Sequence, residues 1–98
     1  MTINRNLDGT TLTLAVGGRL DTTTAPELEK EIMEGLDGVT DLVVDFEKLD
    51  YISSAGLRAL ILAYKVMKTK GSLKITNINE IVREIFDVTG FSQILTIE

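Results

Sequence analysis

Ile3, Arg5 and Leu7 occupy alternate positions, Asp8-Gly9 interrupts them, and Leu12, Leu14 and Val16 resume the alternation. No other feature of the chain constrains its fold as much. Asp-Gly between two period-two runs predicts a hairpin, because both central residues of a type I′ turn need positive φ. Two antiparallel strands are expected, near residues 2–7 and 10–17, and the rest of the chain must extend or cover that pair.

Beyond the hairpin the apolar period changes. In "LDTTTAPELEKEIMEGL" Thr24 and Glu27 have capping-box spacing and Pro26 lies in the first turn, where a missing N–H costs nothing. Leu28, Ile32 and Leu36 then form one apolar stripe of a helix. Residues 41–46, "DLVVDF", are apolar on both faces and predict a central buried strand. A connection over 49–52 leads into a long helix near 55–70, and Gly71 is expected to stop it. "SLKIT" alternates as a strand over 72–76. Ile81, Ile85 and Val88 give a third helix its stripe, Gly90 ends it, and "QILTI" over 93–97 predicts a last strand.

The expected order is β-β-α-β-α-β-α-β. Strand–helix–strand crossovers imply parallel neighbours with right-handed connections. The fold class is therefore α/β: one domain over residues 1–98, a mixed four- to five-stranded sheet opened by a β-hairpin, and about three helices mostly on one face. Gly17-Gly18 follows a strand without opening a helix, so it reads as an edge turn or bulge and not as a phosphate cradle.

Composition removes whole classes of function. The chain has neither Cys nor His, so it has no thiolate nucleophile, no Ser-His triad, no imidazole acid–base pair and none of the usual zinc sites. No metal or cofactor is expected. A net charge of −5 without a lysine or arginine cluster argues against nucleic acid. No apolar run approaches membrane-spanning length, and "MTINRNLDGT" shows no secretory h-region. The expected setting is cytoplasmic, away from membranes.

The candidate site is "LDYISSAGLRAL", residues 49–60. Two serines stand at the mouth of the long helix, followed by the small pair Ala55-Gly56. On the helix, Gly56, Leu57, Leu60, Ala63, Tyr64 and Met67 cluster toward the sheet, and Arg58, Leu62, Lys65 and Thr69 cluster opposite. The structural reading is that Ser53 or Ser54 is an N-cap, for which serine is a common choice. The functional reading is that the helix end holds a hydroxyl out for modification. There a phosphate would meet free N–H groups and the positive end of the dipole.

"DYISSAGLRALILAYK" resembles the phosphorylation segment of the anti-sigma factor antagonists, the small free-standing members of the STAS domain family. Gly56-Leu57 and Tyr64-Lys65 match its later positions, and Gly18-Arg19-Leu20-Asp21 resembles the family's Gly-x-Leu-Asp element. The resemblance covers nearly the whole chain. It places the phospho-acceptor at Ser54, with Ser53 the less favoured alternative. In the family an Asp commonly precedes the acceptor, and here that position is Ser53.

The resemblance implies a substrate and binder, not an enzyme. Unphosphorylated protein would bind an anti-sigma factor that is itself a serine kinase of the histidine-kinase-like ATPase type, and so release a sigma factor. Phosphorylation of Ser54 would end the complex, and a metal-dependent serine phosphatase would restore it. Asp21, Ser53, Ser54, Arg58, Leu62 and Lys65 are the expected partner-binding residues, on a monomer or weak dimer. Asp21 also has a plain reading as loop-and-cap chemistry. Two rivals stand beside this reading. One is a STAS regulatory or scaffold module, stressosome-like or transporter-associated, in which Ser54 is not a switch. The other is a Ser-Lys nucleophile using Lys48.

Overall fold

A computed structural model describes residues Met1–Glu98. The opening hairpin joins β1 (Thr2–Asp8) to β2 (Thr11–Leu20), with Asp8 paired to Thr11. That pairing makes Gly9-Thr10 the central residues, and only Gly9 has positive φ, +63°. The turn thus has the II′ pattern, with glycine first, instead of the expected I′ centred on Asp8-Gly9.

After the hairpin come α1 (Ala25–Glu34), β3 (Asp41–Asp45), β4 (Leu49–Ile52), α2 (Ser54–Lys68), β5 (Ser72–Thr76) and α3 (Glu80–Thr89). A 3-10 turn over Phe91–Gln93 and the short β6 (Thr96–Ile97) complete the chain. The strand expected over 93–97 is thus only two residues long, because Gln93 closes the 3-10 turn and Ile94-Leu95 bend before the chain extends. The sheet runs β1-β2-β3-β5-β6, antiparallel at β1–β2 and parallel elsewhere.

The sheet has six strands, not four or five, because residues 49–52 are a strand and not a plain connection. β4 pairs in parallel with the far end of β2, where Leu20 lies opposite Ile52. β2 therefore changes neighbours along its length, from β3 over residues 11–15 to β4 over residues 18–20. The register slips between Gly18 and Arg19, Gly18 has φ +87°, and its N–H donates to Lys48 O at 2.8 Å. The single step from Gly18 to Arg19 faces two steps on the partner, Leu49 to Tyr51, so the extra residue of this bulge is Asp50 of β4, and Gly17-Gly18 lie beside it within one long strand.

Register puts Leu12, Leu42 and Leu73 in one row and Leu14, Val44 and Ile75 in the next. These rows face the helices, and the core unites them with Leu28 and Ile32 of α1, Leu57, Leu60 and Ala63 of α2, and Val82 and Phe86 of α3. Thr13, Val43 and Lys74 form the row on the other face and are only half-buried. Residues 41–46 are thus covered fully on one face only, which corrects the expectation of a strand buried on both.

Three local expectations change. Thr24 makes no capping box with Glu27: its hydroxyl donates to Arg19 O at 2.8 Å and accepts from Asp21 N–H at 2.8 Å. Gly71 has no left-handed φ, and α2 ends earlier, at Lys68. The α3 stripe is rotated from the expected one. Val82 and Phe86 are the buried pair, whereas Ile81 is 59% and Val88 82% exposed and Ile85 is half-buried.

Arg5 points to the helix side and ends α1: its Nη2 donates to Gly35 O at 2.6 Å, and Nη1 lies 3.4 Å from Glu31 Oε2. A charged donor on the last carbonyls satisfies groups that a helix C-terminus leaves open. The pair is partly solvated, so Arg5→Ala is expected to cost about 1 kcal/mol, below the usual range for charge-assisted bonds because water screens it. Chemical denaturation should show an unchanged m-value, and a cost below about 0.3 kcal/mol would demote the contact to a surface ornament.

Candidate functional site

The site is built where β2 and β4 end side by side. Because Leu20 pairs with Ile52, the residues after each strand, Asp21 and Ser53-Ser54, emerge from the same edge. Ser53 N–H donates to Leu20 O at 2.9 Å. Ser53 is extended (φ −101°, ψ 178°), and the first helical bond runs from Leu57 N–H to Ser53 O at 3.0 Å. Gly56 allows this close seating. A Cβ there would lie 2.7 Å from Ile52 Cγ1 and 2.9 Å from Leu20 O, both closer than real contacts allow. The small residue after the serines thus lets the helix start touch the backbone of β2.

The two serines differ. Ser53 is the N-cap by position, but its hydroxyl caps nothing; Oγ is buried and has no hydrogen-bond partner. Ser54, the first helical residue, is exposed. No side chain therefore occupies the N–H groups of the first turn of α2, and the exposed hydroxyl stands at the positive end of a 15-residue helix.

Asp21 is organised by its own loop. Its Oδ1 accepts from Thr23 N–H at 3.0 Å and from the Thr23 hydroxyl at 2.8 Å. The Thr23 hydroxyl is the largest cause holding the carboxyl below the usual carboxylate range; desolvation opposes it, and the Thr23 and Thr24 amides add to the lowering. The loop-and-cap chemistry of Asp21 is present, and it fixes a carboxylate next to the serine loop. Arg19 closes the edge, with Nε 3.7 Å from Asp21 Oδ2 and its guanidinium 4.5 Å from the Tyr51 ring centroid. No local pattern in the sequence signals this Arg19–Tyr51 contact, because the two residues meet only through the β2–β4 pairing.

Along α2, Arg58 and Lys65 are exposed as expected. Leu62 is different: it is half-buried and packs against the core, so it is not a free apolar residue on a polar face. Ile61 takes that place. At about 100° per residue it lies within about 20° of Ser54, while Leu62 lies about 80° away. Ile61 is half-buried yet stands apart from the side chains packed on the core. The same angular arithmetic, centred on Ser54 instead of Leu57, finds it in the sequence.

Lys48 lies at the opposite end of β4 from the serines, beside Gly17, with about 13 Å of strand between. It cannot serve as a base for Ser54. Ser54 also lines none of the surface clefts. The serine sits exposed on a helix end outside every cleft, a position suited to contact with another macromolecule. No helix is long and apolar enough to cross a membrane.

The STAS domain model matches residues 2–98. The chain belongs to the STAS domain family. It is 37% identical over 82 residues to BtrV of Bordetella bronchiseptica, a protein bearing the name of an anti-sigma factor antagonist; the match covers 82% of this chain and 71% of that one. The crystal structure of an anti-sigma factor antagonist from Mycobacterium paratuberculosis superposes with a TM-score of 0.89 at 23% identity, over 98% of this chain and 83% of that one. The phosphorylated form of the Bacillus cell fate determinant SpoIIAA superposes with a TM-score of 0.77 at 17% identity, over 99% and 91% of the two chains. At these identities the two structures show a shared fold. This STAS chain thus has the mixed sheet and three helices expected of it, with β4 as the added strand.

Proposed function

We propose that this STAS protein is an anti-sigma factor antagonist switched by phosphorylation at Ser54. Unmodified, it binds an anti-sigma factor serine kinase of the histidine-kinase-like ATPase type, in the cytoplasm, and so releases a sigma factor. The contact surface runs from Asp21 and Ser53-Ser54 along Arg58 and Lys65. Phosphorylation of Ser54 ends the complex, and a metal-dependent serine phosphatase resets it. The protein acts as substrate and binder.

One observation carries this reading: Ser54 is exposed at an uncapped helix N-terminus, whereas the adjacent Ser53 hydroxyl is enclosed. A kinase can reach the first and not the second. The added charge of about −1.5 to −2 would meet free N–H groups, the helix dipole and Arg58 one turn on, so the fold should accommodate it. The switch would act by changing a surface, not by refolding. The name of the 37%-identical relative supports the same reading.

Incubation with the cognate kinase and ATP should add one phosphate, which mass spectrometry should locate on Ser54, and Ser54→Ala should remain unmodified. Phosphate on Ser53 in that variant would place the acceptor one residue earlier. A chain left unmodified by every kinase-type anti-sigma factor of its own genome would favour a scaffold or transporter-associated module instead.

A further inference from the structure

The chain carries a net charge of −5, yet the 15 residues of α2 include no Asp or Glu. Its outward positions hold Arg58, Lys65 and Lys68, all exposed. The ion pairs of the molecule are Arg5–Glu31, Arg19–Asp21 and Lys74–Glu98, so none of these three cations is neutralised by a neighbour. Measured from Ser54 they lie within about 40° to either side, and Ile61 sits among them. Leu62, Tyr64 and Val66, the other partly covered apolar residues of α2, pack on the core; Ile61 does not. An acidic protein thus presents one positive strip with a single uncommitted aliphatic side chain near its middle.

We propose that this strip is a docking surface for a protein whose complementary face is an apolar pocket rimmed by carboxylates, with Ile61 as the anchor. The proposal rests on Ser54 being the modified residue and states how modification works. Three unpaired cations make a local charge of +3, and a phosphate of about −1.5 to −2 cancels half or more of it. Modification would therefore weaken attraction along the whole strip and also place a bulky dianion at its end. Charge complementarity selects this occupant. Three cations on one helix of a net-negative chain make a poor footprint for nucleic acid.

The test uses the full chain and the kinase that modifies it, with affinity measured by titration calorimetry at low and at moderately raised salt. Ile61→Ser should weaken binding about tenfold or more, the loss expected when a buried aliphatic contact is removed. K65E/K68E should weaken it by a similar factor at low salt. Wild-type affinity should fall severalfold as salt rises, and K65E/K68E should lose most of that salt dependence. Circular dichroism melts should show both variants folded.

Wild-type affinity in Ile61→Ser and K65E/K68E, together with lost binding in Ser54→Asp, would overturn the strip while leaving the Ser54 switch standing. Wild-type affinity in all three would overturn both. Sedimentation of the chain alone provides a further check: a dimer dissolved by Ile61→Ser would make a second copy the occupant and overturn the assignment.

Discussion

Ser54→Asp is expected to weaken binding to the kinase by at least about a hundredfold while leaving the thermal midpoint nearly unchanged. The two halves of this expectation have separate causes. In the free protein the Ser54 side chain is exposed and makes no hydrogen bond, so its removal breaks nothing. A carboxylate in the first turn of α2 gains from the dipole, by about 0.3–1 kcal/mol. In a complex the same carboxylate would be covered by the partner. An uncompensated buried charge costs about 3–5 kcal/mol, which corresponds to two to three and a half orders of magnitude in affinity. Ser54→Asn separates charge from size, because it adds nearly the same volume without the charge. Calorimetry on both variants should find Asn close to wild type. Equal losses in Asn and Asp would mean that the helix end is a steric gate. A thermal midpoint that falls sharply in Asp would mean that the hydroxyl has a structural role.

Gly71→Ala should be the most damaging of the small substitutions, at about 3 kcal/mol, the upper part of the range for overpacking. Gly71 has no left-handed φ, so the reason is space. A Cβ there would overlap Thr40 O, a backbone atom with little freedom to retreat. That carbonyl accepts from Ser72 N–H at 2.9 Å, and Thr40 N–H donates to Thr10 O at 2.9 Å. Three segments of the chain, from the hairpin turn, the entry to β3 and the entry to β5, are tied at this point. Displacing one disturbs all of them. For a domain of this size the cost corresponds to roughly 10–20 °C in thermal midpoint. Gly38 is the control, with φ +75° and open space around it, so that Gly38→Ala meets only backbone strain of about 1 kcal/mol. If the two variants melt together, close packing at Gly71 is not what matters there.

Much of this protein was legible in the residues alone. The hairpin, the first two helices and the strands at 41–45 and 72–76 come from alternation, helical spacing and turn residues. Those signals act between positions a few residues apart, so sequence carries them directly. The exposed Ser54 beside an enclosed Ser53 could not be read in that way. Adjacent serines look alike until Leu20 and Gly56 set how deeply the helix start is seated. β4 was hidden because a four-residue strand is stabilised by its neighbour, and that neighbour is the far end of β2, past its pairing with β3.

α3 shows the same division. Ile81, Ile85 and Val88 fit helical spacing as well as Val82 and Phe86 do, so periodicity fixed the helix but could not choose its buried face. Packing chose it: Val82 and Phe86 fill the core, and Ile81 and Val88 face water. On α2 the same contest sent Leu62 against the core and left Ile61 beside Ser54. The sequence by itself determined which segments are helices and strands, and where the serines and the cations lie along the chain. The tertiary structure alone decided which hydroxyl is exposed and which apolar side chains remain uncommitted. Burial depends on neighbours brought from distant parts of the chain, and local period is blind to them.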